Sequence, residues 1–211
     1  MTTGVDLEAA VRRWFPVASL GELTRLEGGD VNDLYRVDVG GRGYVLRVGE
    51  PLTTAAMVRW EHDLVSRVAP LVPEVLAPLR TPEGATFVEV DGRIASMAVF
   101  VEGRRGDRFN AADRDAAAQT LGRLHAALGA VGLVDGREGY PRWAEMDWPE
   151  QRQWSWSRAD RAAVAAHVDL GRFERALEEL PAAVRALDGS LPSMAIHGDY
   201  HADNLLVAGV R

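Results

Sequence analysis

Met194-Ala195-Ile196-His197-Gly198-Asp199-Tyr200-His201-Ala202-Asp203-Asn204-Leu205-Leu206-Val207 places a histidine, an acid two residues later and an asparagine five residues after that acid between two apolar runs. The runs, Met194 to Ile196 and Leu205 to Val207, read as short buried strands, so the polar residues between them are held on one turn. A lone His-x-Asp is common. As ordinary structure it is a loop in which Asp199 caps a turn and His197 satisfies a buried hydrogen bond. Here the fixed interval from Asp199 to Asn204, the flanking strands and a second His-x-Asp at His201 and Asp203 favour a chemical reading.

Phosphoryl transfer from ATP needs an acid that orients a hydroxyl and accepts its proton, and an amide oxygen that holds magnesium against the phosphates, both on one rigid turn. Asp199 has the place of the acid and Asn204 that of the metal ligand. A metal-dependent hydrolase competes, since His197, Asp199, His201 and Asp203 are all ligand types. Alternating residues of an extended segment point to opposite faces, so at most two of them could share one metal.

The segment His197 to Leu206 resembles the catalytic loop of the aminoglycoside phosphotransferase and choline kinase family, small-molecule kinases with a protein-kinase-like fold. The resemblance implies an α+β, two-lobed chain: an N-terminal antiparallel sheet with one helix over residues 1–101, and a mostly helical lobe carrying the catalytic loop over 102–211. It also implies ATP and Mg2+ as cofactors and a small molecule bearing a hydroxyl as substrate. Aminoglycoside, choline and homoserine all stay open, as does ATP against GTP.

The composition agrees with a globular kinase. The chain has 211 residues, 47% of them apolar, enough for a real core. No run approaches a membrane span, and Met1 to Ala10 lacks the basic start and apolar core of a signal peptide, which makes the cytoplasm the default. There is no cysteine, hence no disulfide, thiolate zinc site or cysteine nucleophile. Every basic side chain is arginine, which excludes Schiff-base chemistry and a lysine-bearing phosphate loop. A formal charge of -7 argues against nucleic acid and is compatible with a cationic substrate.

From the start of the chain, Asp6 to Phe15 has helical spacing and stops at Pro16. Leu23 to Leu26, Leu34 to Val39 and Tyr44 to Val48 then alternate as a three-stranded antiparallel meander, with Gly40 to Gly43 as a hairpin turn. Between the first two strands lies Glu27-Gly28-Gly29-Asp30-Val31-Asn32-Asp33. Two glycines between strands are often only a turn, but upstream of such a catalytic loop they suit a backbone that covers phosphates. Gly28, Gly29 and Asn32 also match the family's Gly-Gly-x-x-Asn element.

The third strand carries Arg47 where a kinase places a cation for the phosphates, held by a glutamate on the next helix. Arginine offers a bidentate fork in place of the lysine of protein kinases. The next helix, capped by Thr53 or Thr54 and running to about Val68, has Met57, Leu64, Val65 and Val68 as its apolar stripe. Glu61 lies on that stripe, where a carboxylate needs a partner, and Arg47 is the natural one. The bland alternative is that Glu61 edges the stripe and reaches solvent.

Thr86 to Val90 and Ile94 to Val101 form a second hairpin about Asp91-Gly92. The family resemblance makes Val99 to Gly103 the crossover between lobes, with the backbones of Val99 and Val101 on the adenine base. Asp113 to Leu128 is a helix with Ala117, Leu121, Leu124 and Leu128 in its stripe and His125 beside it as a packing residue. Tyr140, Trp143, Trp148, Trp154 and Trp156, among Glu138, Glu145, Asp147 and Glu150, suit either an amine ligand or the anchoring of a long loop. Arg158 to Ala186 reads as helix with breaks near Asp169 to Gly171 and at Pro181.

Seven residues follow Asn204, none of them acidic. The family pattern has a second metal-binding aspartate on the next strand and further closing helices. Their absence leads to the expectation of a C-terminally incomplete chain, inactive alone, and keeps a nucleotide-binding pseudokinase or scaffold as an alternative beside the hydrolase.

Overall fold

A computed structural model describes residues 5–27, 32–132, 158–188 and 194–208. The chain divides into two compact units, Met1–Arg137 with Met194–Arg211, and Glu138–Ser193. The aromatic-rich stretch from Tyr140 to Trp156 and the glycines Gly28 and Gly29 lie outside the described residues.

In the first unit, α1 (Leu7–Arg12) leads into β1 (Thr24–Arg25), β2 (Asp33–Val39) and β3 (Arg42–Val48). Then come α2 (Ala55–Val68), β4 (Phe87–Val90) and β5 (Arg93–Val99). The five strands form one antiparallel sheet in the order β1-β2-β3-β5-β4. Both tight hairpins use left-handed backbone. Gly40 and Gly41 have φ of 59° and 79°, and Asp91 and Gly92 have 50° and 72°, the sign that matches a two-residue turn to strand twist.

Alternation along the strands gives the sheet two faces. One buries Tyr35, Val37, Val39, Leu46, Val48, Val88, Ala95 and Met97 against Ala10, Val11 and Trp14. Asp6 caps α1, accepting from the Ala9 N–H at 3.0 Å. The Trp14 indole N–H donates to the Leu79 carbonyl at 3.1 Å, tying the chain after α1 to the sheet. This helix stops at Arg12 rather than Phe15, and Trp14 and Phe15 continue as a turn whose amides bond back to the Val11 carbonyl. Burying each such large apolar side chain contributes about 1.5–3 kcal/mol.

The other face looks toward α2, which starts on Thr54, its hydroxyl accepting from the Met57 N–H at 3.2 Å. The far end of α2 rests on α3 (Ala111–Val131) through Leu64, Val68, Val72, Leu124, Ala127 and Leu128. The buried stripe of α2 differs from the one read in the sequence. Val58 and His62 are buried, while Met57 and Val65 are only half-buried. His125 is exposed on α3, about 100° from Leu124, and is not a packing residue.

After the sheet, β6 (Arg104–Arg105) pairs antiparallel with β7 (Leu206–Val207), the strand that follows the loop containing Asp199. Met194 to Ile196 is not a strand. Met194 and Ala195 pack against the α2–α3 core, and Ile196 is 58% exposed. In the second unit, α4 (Arg158–Ala165) and α5 (Leu170–Asp188) are separated at Asp169, whose carboxylate accepts from the Arg172 N–H at 2.9 Å. The helix α5 runs through Pro181, so the second expected break does not occur.

Candidate functional site

Two clusters of polar side chains form within the first unit. The first lies between β3 and α2, where Arg47 Nη1 donates to Glu61 Oε1 at 2.9 Å. Arg47 is 40% and Glu61 29% exposed by side chain. Glu61 therefore neither escapes to solvent nor is sealed in, and the pair sits at a half-buried seam where a further anion can reach the guanidinium. Beside it is a small depression lined by Asn32, Arg47, Gly49, Thr53, Val58, His62, Ile94 and Ser96. The structure thus gathers Asn32, Arg47 and Glu61 in one place.

The edge of β5 continues this region. Phe100 donates its N–H to Gly43, and Tyr44 stands opposite Val99, so the Val99 backbone groups point away from β3. On that side Leu79 donates to the Met97 carbonyl at 2.7 Å, and the pairing with β4 ends at Phe87 and Ser96. Val99 is the next residue to face that way, past the last paired residue of β4. Val101 lies two residues beyond, after the strand has ended.

The second cluster is the loop from His197 to Asn204. Gly198 has φ of +79°, which turns the chain sharply before Asp199. The Asp199 N–H donates to His197 Nδ1 at 3.3 Å, and the His197 ring stands edge-on to Tyr200 at 5.3 Å. Tyr200 donates its hydroxyl to the Ala117 carbonyl at 2.9 Å and so seats the loop on α3; burial raises the pKa of this phenol. A 3-10 turn, Ala202–Asn204, brings Asn204 back toward Asp199. Asn204 Nδ2 donates to Asp199 Oδ2 at 2.8 Å and to the Asp199 carbonyl at 3.0 Å. His201 Nε2 lies 3.2 Å from Asp199 Oδ1.

This geometry fixes which end of the Asn204 amide does what. Its nitrogen is bound to Asp199, which leaves its oxygen to act as an acceptor, and a hard oxygen is the ligand magnesium takes. Among the described residues no three histidines, aspartates or glutamates come together as a metal cage. Magnesium held by one or two protein oxygens and by substrate phosphates fits such a donor set.

A further ion pair, unanticipated from the sequence, lies where β6 meets the start of α3. Arg104 on β6 makes a two-pronged contact with Asp113 at the start of α3, at 2.6 and 2.7 Å, and the Asp107 N–H adds a bond of 2.8 Å to the same carboxylate. The Arg104 hydrogen bonds, and next the Asp107 backbone, lower the Asp113 pKa to about 2, and the same contact raises that of Arg104. The β6 strand also pairs with β7, and the Gly106 N–H donates to the Leu205 carbonyl at 3.0 Å, so this ion pair holds the strand that follows Asn204. The available signal was Asn110-x-x-Asp113, the spacing of a helix start, which marks Asp113 as a first-turn acid but does not name its partner.

The sequence model of the phosphotransferase enzyme family matches residues 22–211. The chain belongs to that family. It is 26% identical over 195 residues to a homoserine kinase of Brucella anthropi, a match that covers 91% of this chain and 57% of that protein. Among solved structures, a thermostable mutant of an aminoglycoside phosphotransferase superposes with a TM-score of 0.62 at 20% identity, over 93% of this chain and 66% of that one. A spectinomycin phosphotransferase in complex with ADP and spectinomycin superposes with a TM-score of 0.55 at 14% identity, over all of this chain and 67% of that one. The fold is α+β and protein-kinase-like, and the chain spans little more than half the length of the homoserine kinase.

Proposed function

We propose that this chain is the nucleotide-binding and catalytic-loop portion of an ATP-dependent phosphotransferase that moves the γ-phosphoryl group to a hydroxyl of a small molecule. The observation that supports it most strongly is the closed arrangement of Asp199, His201 and Asn204, with an acid and a side-chain amide joined on a turn seated on α3. Residues 1–101 make the nucleotide lobe and 102–211 the lobe with the catalytic loop.

In this reading Asp199 accepts the proton of the substrate hydroxyl as the hydroxyl oxygen bonds to the γ-phosphorus and the bond from that phosphorus to the bridging oxygen breaks, releasing ADP. Asn204 presents its amide oxygen to magnesium. Arg47, oriented by Glu61, and the backbone around Gly28, Gly29 and Asn32 bind the phosphates, and Val99 and Val101 offer backbone groups to the base. Bound MgATP supplies the phosphoryl group and neutralises the charge that develops on it. The structural relative that holds ADP supports the nucleotide. The homoserine kinase supports an amino alcohol as substrate, and the spectinomycin enzyme an aminocyclitol. No helix among the described residues is long and apolar enough to cross a membrane, in keeping with the cytoplasm as compartment.

The test is calorimetric titration of the full chain with MgATP, followed by an ATP-consumption screen over homoserine, choline and aminoglycosides. Binding of MgATP by the chain is expected, and turnover on one of these hydroxyl compounds by the whole phosphotransferase of which we propose it is a portion. Stabilisation by zinc alone, with no response to MgATP, would overturn the reading in favour of a hydrolase.

A further inference from the structure

Leu34, Arg47, Ser96 and Phe87 stand directly opposite one another across β2, β3, β5 and β4, so their side chains share the face of the sheet under α2. His62 lies on α2 one residue after Glu61. Its ring stands edge-on to Phe87, 6.2 Å between centroids, and it lines the pocket together with Arg47 and Ser96. It is 7% exposed, and its Nδ1 has no hydrogen-bond partner among the described residues. A buried polar atom without a partner is destabilising. Packing against Phe87 could be done by an apolar ring, so the imidazole needs another explanation.

The charged groups that face His62 are few. From α2 there is Glu61, and from β3 there is Arg47. From β4 and β5 the described residues that share this face are Phe87, Glu89, Ile94 and Ser96, of which Glu89 is charged and lies exposed. Arg59 on α2 stacks on the Phe87 ring from 5.6 Å. Burial lowers the His62 pKa, Glu61 raises it and Arg47 lowers it, with a net shift below the ordinary value of 6.5.

We propose that His62 is a proton-sensitive positioning residue for the Arg47–Glu61 pair, so that its protonation weakens nucleotide binding. This rests on the reading of Arg47 as the phosphate-binding cation. Neutral His62 leaves the Glu61 carboxylate to Arg47. Protonated His62 puts a second cation beside that carboxylate and in the same pocket as Arg47, and the cost of burying that charge pulls its turn of α2 toward water. Both effects draw Glu61 away from Arg47, which then loses its fixed orientation toward the phosphates. The transition falls on the acid side of pH 6.5, so the ion pair is intact at neutral pH.

The experiment compares the MgATP affinity of the full chain at pH 8 and pH 5.5 for the wild type, His62→Gln and His62→Phe. The phosphates of ATP and the other histidines titrate equally in all three, so only the ratio between the two pH values is compared. The wild-type ratio is expected to exceed that of either variant, by less than about tenfold because the His62 pKa lies below 6.5. Equal ratios overturn the proposal. A second measurement needs no nucleotide: the His62 ring is titrated by NMR in the wild type, in Glu61→Gln and in Arg47→Met. The midpoint should fall in Glu61→Gln and rise in Arg47→Met, and an unmoved midpoint in both contradicts the coupling. If the midpoints move but the wild type binds no MgATP at pH 8, the assignment of Arg47 to phosphate fails while its coupling to His62 stands.

Discussion

Arg47 and Glu61 meet at 2.9 Å across the seam between β3 and α2, and the pair remains half-open to solvent. A carboxylate that takes one side of a guanidinium fixes its plane and leaves the remaining donors for an incoming anion. Arg47→Ala should therefore weaken MgATP binding by about tenfold or more, the loss of one charge-assisted contact. Glu61→Ala should weaken it less, since the cation remains but is no longer aimed. Calorimetry on both variants checks the order, and normal ATP binding by Arg47→Ala removes the cation from its role.

Asp113 is buried and held by Arg104 and the Asp107 amide, with a pKa of about 2 in the folded protein against an ordinary 3.8. A carboxylate whose pKa is depressed on folding stabilises the fold above its unfolded pKa and stops doing so as the pH falls through the folded one. Asp113→Asn should lower Tm by a few degrees at pH 7. The difference from the wild type should shrink as the pH falls from about 4 toward 2. A difference that stays constant over that interval assigns the loss to packing instead.

Gly103 sits where a Cβ would come within 2.9 Å of the Val207 carbonyl oxygen, a backbone atom that cannot swing aside. The fit requires glycine because β6 and β7 approach closely there. Gly103→Ala should push the two strands apart and loosen the loop between Asp199 and Val207. Hydrogen exchange at the amides of Gly106 and Leu205 should accelerate, while those of Tyr35 and Leu46 in the large sheet should not change.

Much of this arrangement could be read from local pattern. The strands β2 to β5 follow from period-2 alternation closed by turn residues, and the start of α2 from Thr54. Glu61 was matched to Arg47 by helical phase, because a carboxylate on an apolar stripe demands a cation. Three features escaped. Met194 to Ile196 is as apolar as a strand but pairs with no strand among the described residues, and apolarity alone does not make a ladder. His62 is not legible as part of the stripe because a buried histidine breaks the pattern by which a stripe is recognised. The contact between Arg104 and Asp113 joins a strand to a helix across a turn, and no periodicity encodes such a meeting. Gly28 and Gly29, legible as a motif, lie outside the described residues.

The central claim is that Asp199 acts on the chemistry and not on holding the nucleotide. The most direct measurement is a paired one on the whole phosphotransferase with its preferred substrate: MgATP affinity and turnover for the wild type and Asp199→Asn. The amide keeps a hydrogen-bonding group near His201 and Asn204 but accepts no proton, so turnover should drop by about two to four orders of magnitude, while ATP affinity changes by less than about threefold. Turnover equal to the wild type, or loss of ATP binding in step with loss of turnover, would contradict the account.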